Sequence, residues 1–118
     1  MFLRFWRKAE INASDYLRRQ GYRVVASGFR VREGEVDIIA WDGDVLVFVE
    51  VKSRKTEDAP ESAVGMRKRR RVVKAAKIYM SRYKLNDVCY RFDIIAVNEV
   101  SGRKTAFRLF RDAFSASA

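Results

Sequence analysis

The chain contains no histidine and a single cysteine, and these two absences exclude several common kinds of active site. Without histidine there is no imidazole base, no His-containing zinc site and no Ser-His-Asp arrangement. The lone Cys89 excludes an internal disulfide and a cysteine-rich zinc site, and nothing points to an oxidising compartment. Any chemistry must therefore come from carboxylates, lysines or hydroxyl groups.

Long apolar runs are missing as well. The first residues, MFLRFWRK, lack the apolar core of about 7 to 15 residues that a signal peptide needs. No later run approaches the length of about 20 residues that spans a bilayer, so a cytoplasmic protein is expected. With 118 residues, 48% of them hydrophobic, the chain has material for one core. We predict a single domain over residues 1–118, with a frayed tail at 115–118.

Positive charge is in excess. The chain carries 25 lysines and arginines against 15 acidic residues, which gives a formal net charge of +10. Such an excess favours a polyanionic partner, either nucleic acid or an acidic membrane surface.

Carboxylates lie inside two apolar runs in the stretch 34–52, GEVDIIAWDGDVLVFVEVK. Both runs alternate in the manner of β-strands, and charge is unusual within such runs. The dipeptide Asp42-Gly43 between them is a strong hairpin signal. If these two residues form the turn, Trp41 pairs with Asp44.

That register predicts a cluster of charged side chains on one face of the hairpin. Asp37 then lies opposite Phe48, and Asp37, Glu50 and Lys52 share a face. Asp37 and Glu50 become diagonal neighbours, with Cβ atoms about 7 to 8 Å apart at most. Two converging carboxylates repel unless a cation, a shared proton or a hydrogen-bond network lies between them. A divalent metal is the natural occupant, but an ion pair of Lys52 with either carboxylate would neutralise the same face.

Helical periodicity occurs twice, at about residues 5–19 and from Met66 to about Lys84. The second helix contains no acidic residue, and like charges at i, i+4 spacing cost stability. The basic side of this helix is either a face solvated by water or a surface that binds polyphosphate. We favour the second interpretation. Such contacts would position a nucleic-acid backbone without reading its sequence. The basic residues that cluster opposite its apolar stripe are Arg67, Arg70, Arg71, Lys74 and Lys77.

The rest of the chain supplies strands, connections and two further acidic residues of interest. Glu10, at the edge of the apolar stripe of the first helix, is either a solvated rim glutamate or leans toward the Asp37 and Glu50 face. Asp93 is explained by an ion pair with Arg91 or a second-helix base at least as well as by catalysis. The remaining predicted elements are strands at 22–27, 90–97 and 105–110, a polar connection at 28–34 and a loop at 54–65.

The order of these elements, α-β-β-β-α-β with one further strand, resembles the restriction-endonuclease-like core of the PD-(D/E)xK superfamily. Its D…(D/E)xK pattern is carried here by Asp37, Glu50 and Lys52. More closely, the chain resembles the YraN-like (UPF0102) family of predicted endonucleases, which is similar in turn to archaeal Holliday-junction resolvases. The resemblance covers nearly the whole chain and implies an α/β fold, a mixed sheet flanked by helices. Its matching pieces are AEINASDYLRRQGY, GEVDIIA, VFVEVKSR, the basic helix, YRFDIIAV and RDAF.

The resemblance also implies roles for individual residues. It implies Asp37 and Glu50 as metal ligands, Lys52 as the catalytic lysine and Glu10 as the acid of the first helix. Such proteins often carry glycine before that acid, whereas Ala9 stands there in this chain.

Metal-dependent phosphodiester hydrolysis is the function that the resemblance implies for these residues. Oxygen ligands select a hard cation, so Mg²⁺ or Mn²⁺ is expected, with waters and the Val51 carbonyl completing the shell. The expected substrate is nucleic acid, in particular structured or branched DNA, and a homodimer would bring two sites to two strands. A non-cleaving nucleic-acid-binding module is the alternative. A membrane-surface protein is disfavoured because the core needs the apolar face of the second helix.

Overall fold

The computed structural model describes residues 8–54 and 65–116 and has an α/β architecture. Its five strands form one sheet in the order β1-β2-β3-β4-β5. β3 and β4 run parallel, and every other neighbouring pair is antiparallel. The predicted αβββαβ core with one further strand is confirmed. The elements are α1 (Lys8–Arg19), β1 (Arg23–Val31), β2 (Gly34–Asp42), β3 (Val45–Arg54), α2 (Met66–Arg82), β4 (Tyr90–Asn98) and β5 (Ala106–Phe114).

The two helices pack against opposite faces of the sheet. On the α1 face, Leu17 packs among side chains that include Val47 and Ile95. On the α2 face, Val72 packs in a cluster with Phe48 and other apolar residues. Because both faces of the central strands are covered, β2, β3 and β4 carry nearly continuous apolar runs. In the part of the chain that the structure describes, neither helix is long and apolar enough to cross a bilayer.

The β2–β3 hairpin has a different register from the predicted one. Asp42 pairs with Val45, so the two turn residues are Gly43 and Asp44 rather than Asp42 and Gly43. Gly43 takes the position with positive φ, at 58°, which glycine adopts without steric cost. The predicted pairing of Trp41 with Asp44 is therefore wrong by two residues. A shift of two leaves Asp37 and Glu50 on one face, as predicted, whereas a shift of one would have separated them.

The segment 28–34, predicted as a polar connection, is mostly strand. β1 continues through it to Val31, which pairs with Gly34 of β2. The continuation was missed because Gly28 resembles a strand end, whereas the chain passes through it with φ at 64° and stays in the sheet. β5 likewise runs beyond the predicted 105–110 to Phe114, past Asp112 at φ 51°.

Three sequence predictions fall wholly or partly outside the described residues. These are the start of the first helix at residues 5–7, most of the loop at 54–65, and residues 117–118 of the predicted tail. Within that tail, Ala116 is described and packs against the α2-side core.

Candidate metal and nucleic-acid site

Asp37 and Glu50 form a buried carboxylate pair beyond the last regular pairing of β2 with β3. The two strands are paired from Asp42 and Val45 to Ile38 and Val49. One step further this register sets Asp37 directly opposite Glu50, nearer than the predicted diagonal position. The two residues are only 3% and 1% exposed. The acid pair is therefore enclosed by the fold rather than displayed on its surface.

The β2 strand changes its alternation at Asp37. Val36 packs on the α2 side, whereas the following apolar residues Ile38 and Ile39 pack on the α1 and α2 sides respectively. The regular alternation predicted for this run is therefore broken at Asp37. At this irregular point the Asp37 carboxylate accepts a hydrogen bond from the backbone N–H of Val51, with Oδ2 and N 2.9 Å apart. The side chain of Asp37 thus joins β2 to β3 where the regular pairing has ended.

Burial, together with the neighbouring carboxylate of Asp37, raises the pKa of Glu50 from 4.5 to about 8. Burial contributes most, because it disfavours the charged form, and the negative charge and hydrogen bonding of Asp37 add to it. Lys68 acts in the opposite direction. At neutral pH the pair therefore retains a proton, which a cation would have to displace.

Lys68 of α2 supplies the ammonium group that contacts Glu50. Its Nζ lies 2.5 Å from Glu50 Oε1, and its side chain is 56% exposed. Burial alone would lower the pKa of Lys68, but the contact with Glu50 raises it. Sequence reasoning missed this residue. In the sequence Lys68 is one of several basic residues of α2, and its place one helical turn before the buried Val72 acquires meaning only once the helix is packed on the sheet.

A cleft of about 460 Å³ brings the other predicted site residues together. Glu10 is buried and lines this cleft, so the interpretation of Glu10 as a solvated rim glutamate is wrong. Lys52 and the backbone of Val51 line it too, together with Lys68. Within residues 8–54 and 65–116, however, no three acidic side chains come close enough to share one ion. Glu10 therefore lies beside the acid pair rather than in a cluster with it.

The chemistry of the donors fits a hard cation. Asp37 and Glu50 offer carboxylate oxygens, and neither oxygen of Glu50 has a well-directed hydrogen bond from a described residue. In an extended strand the N–H and C=O of one residue point to the same side, so the Val51 carbonyl is directed toward β2 as well. All of these donors are oxygens, which Mg²⁺ and Mn²⁺ prefer.

The basic side of α2 is exposed along the helix, as the sequence predicts. The helix begins after Gly65 with no side-chain cap and no acidic residue in its first turn, so no acid of the helix itself offsets its positive N-terminal end. Arg67 and Arg71 line a second cavity of about 380 Å³ beside that end, and Lys68 lines it as well. The five predicted residues, all exposed, are Arg67, Arg70, Arg71, Lys74 and Lys77.

Asp93 is held by a separate network on β4, where it pairs with Val49 of β3. It accepts hydrogen bonds from the Tyr22 hydroxyl at 2.9 Å, from Arg91 Nε at 3.0 Å and from the Asp112 backbone N–H at 2.9 Å. Arg91 also donates to Asp42 at 2.7 Å. These partners neutralise and satisfy the buried carboxylate, so the ion-pair interpretation of Asp93 accounts for it without a catalytic role.

Comparison with known proteins identifies relatives along most of the chain. The family described as "Uncharacterised protein family UPF0102" matches residues 9–97, a range that contains every predicted site residue. A UPF0102 protein of Syntrophus aciditrophicus is 40% identical over 114 residues, which cover 95% of this chain and 89% of the relative. One from Geobacter sulfurreducens is 46% identical over 96 residues, covering 80% of this chain and 75% of the relative. One from Symbiobacterium thermophilum is 40% identical over 106 residues, covering 88% of this chain and 90% of the relative. The chain therefore belongs to the UPF0102 family.

Proposed function

We propose that this protein is a nuclease that depends on a divalent cation and hydrolyses phosphodiester bonds in structured or branched DNA. The observation that carries the proposal is the buried pair of Asp37 and Glu50. Two carboxylates are held against one another, with the pKa of Glu50 raised to about 8, next to a cleft that contains Lys52. Strongly perturbed carboxylates beside a cavity are typical of sites that bind a cation or perform acid and base chemistry.

Each residue at the site would have a separate role in hydrolysis. Asp37, Glu50 and the Val51 carbonyl would hold Mg²⁺ or Mn²⁺. When bound, the cation would lower the pKa of water and offset negative charge on the phosphate. Lys52 lies two residues beyond Glu50 in β3 and lines the cleft, where it can donate a hydrogen bond to the attacking water and to a phosphate oxygen. Glu10, buried in the same cleft, would orient that water.

The basic side of α2 would position the DNA backbone. Its exposed lysines and arginines lie on the helix that also supplies Lys68 to the cleft. Because phosphate contacts carry no sequence information, the structure of the DNA rather than its sequence would decide which substrates are bound.

A cleavage assay on structured DNA tests the proposal. Four-way junctions, flaps and single strands are incubated with Mg²⁺ and either the wild type, Asp37→Asn or Asp44→Asn. Asp44 is a matched control, because it is an exposed carboxylate in the hairpin turn away from the pair. We expect Asp37→Asn to slow cleavage by about 100-fold or more, and Asp44→Asn to cleave like the wild type. Binding measured with Ca²⁺ should persist in all three proteins.

The alternative is a nucleic-acid-binding module that does not cleave. It is favoured by the contact between Lys68 and Glu50, which already supplies a counter-charge to the acid pair. It is favoured further because no third acid joins that pair within the described parts of the chain. If the wild type binds these DNAs with Mg²⁺ present and cuts none of them, this alternative replaces the nuclease.

A further inference from the structure

Lys68 connects the acid pair to the basic surface of α2. Its ammonium contacts Glu50 at 2.5 Å, and its side chain lines both the cleft that contains Lys52 and the cavity lined by Arg67 and Arg71. Among residues 8–54 and 65–116, no other residue is shared by the linings of these two cavities. The position of this one side chain therefore decides both the charge at Glu50 and the charge at the start of α2.

The Lys68 ammonium and a divalent cation would compete for the same carboxylate. A magnesium ligand lies about 2.0 to 2.1 Å from the ion, so a cation on Glu50 would bring three positive charges together if the ammonium stayed in contact. Such like charges repel strongly where water is excluded. Glu50 is 1% exposed and cannot turn toward solvent to avoid one of them. Lys68 is the partner able to move, because its side chain is 56% exposed on a flexible stem.

On the basis of the function proposed above, we propose that Lys68 is an exchangeable counter-cation of Glu50. Its ammonium occupies the carboxylate when no divalent cation is bound. A divalent cation displaces it, and the freed side chain turns toward the cavity lined by Arg67 and Arg71. The cation that prepares the acid pair for hydrolysis thereby adds one more positive charge to the surface that faces phosphate. Lys68 is a positioning residue in this scheme, and it senses whether the site is loaded.

Nuclear magnetic resonance of the lysine side chains in the full-length wild type tests this exchange directly. At about pH 8.5, above the pKa of about 8 that Glu50 has in the folded chain, the mobility of the Lys68 ammonium and ε-methylene is followed during titration with magnesium chloride alone. Calorimetry measures magnesium binding on the same sample. We expect Lys68 to be immobile without magnesium and to become as mobile as Lys74, an exposed lysine of the same helix. The free magnesium concentration at which half of this change has occurred should equal the dissociation constant measured by calorimetry. Lys74 should not change.

The variant Glu50→Gln provides the complementary measurement. Removing the negative charge weakens the hold on Lys68, so Lys68 should be mobile in this variant before any magnesium is added, with no further change on titration. Circular dichroism confirms that the variant is folded, and the wild-type titration stands without it. If magnesium binds to the wild type and Lys68 stays immobile, the exchange is wrong while the nuclease proposal survives. If millimolar magnesium does not bind at all, both proposals are wrong.

Discussion

The raised pKa of Glu50 predicts that the protein loses stability as the pH rises, and that one substitution removes the effect. A carboxyl group whose pKa is higher in the folded chain than in the unfolded chain costs stability once it is deprotonated. For Glu50 the cost is absent below pH 4.5, grows through the interval up to about pH 8, and is complete above it. Glu50→Gln keeps the size of the side chain and cannot ionise, so it should not show this loss.

The size of the effect follows from the shift itself. One pKa unit corresponds to about 1.4 kcal/mol, so a rise from 4.5 to about 8 corresponds to up to about 5 kcal/mol. Near pH 5 the protonated Glu50 resembles glutamine, and we expect the wild type and Glu50→Gln to be about equally stable. As the pH rises from there to about 8, the free energy of unfolding of the wild type should fall, relative to that of the variant, by up to about 1.4 kcal/mol per pH unit.

Urea denaturation of both proteins from about pH 5 to pH 9, with a chelator present, measures this difference. Groups other than the acid pair titrate alike in the two proteins, so their contributions cancel. A second series with magnesium near pH 8.5 should stabilise the wild type and leave Glu50→Gln almost unchanged, because a ligand stabilises only the state that binds it. Parallel stability curves across the whole pH range would refute the reasoning, since Glu50 would then ionise at its ordinary pKa in the folded protein.

Three further substitutions separate the parts of the molecule. Gly34→Ala adds a methyl group against a backbone carbonyl of α2 and should cost about 3 kcal/mol in urea denaturation. Gly65→Ala, whose new methyl group meets no described residue within 4 Å, should cost less than about 1 kcal/mol. Asp93→Ala removes the buried one of the two carboxylates that Arg91 contacts and should cost about 3 to 5 kcal/mol, with magnesium affinity unchanged in calorimetry. Lys74→Gln should weaken DNA binding and lower the slope of log affinity against log salt by about 1 in fluorescence anisotropy, while Arg18→Gln on α1 should leave it unchanged.

The fold could be predicted from sequence because periodicity and length determine most of it. Alternation in β2 and β3, an apolar run in β4 and two helical stripes give the αβββαβ order without any structural information. The errors lie where the backbone departs from regular geometry. Gly28 has positive φ inside a strand, and Gly43 occupies the first turn position in place of the second. Local residue preferences do not distinguish a glycine that ends a strand from one that lets it continue.

The site was predictable to the extent that it depends on which face each side chain occupies. Asp37 and Glu50 come together as expected, since a register error of two residues leaves the faces unchanged. Lys68 was not predicted, because in sequence it is one of many basic residues in α2 and only packing against the sheet distinguishes it. The position of Glu10 likewise depends on how α1 lies on the sheet, which helical periodicity alone does not give.

The contrast between Asp93 and Glu50 explains why only the second is a candidate for function. Both carboxylates are fully enclosed by the same sheet. Asp93 accepts hydrogen bonds from a hydroxyl, a guanidinium and a backbone N–H. These bonds compensate the cost of burying its charge. Glu50 instead faces a second carboxylate, has no well-directed donor among the described residues and contacts one ammonium, that of the half-exposed Lys68. A buried acid that the fold leaves under-compensated costs stability in the free protein, and a cation ligand would recover that cost on binding.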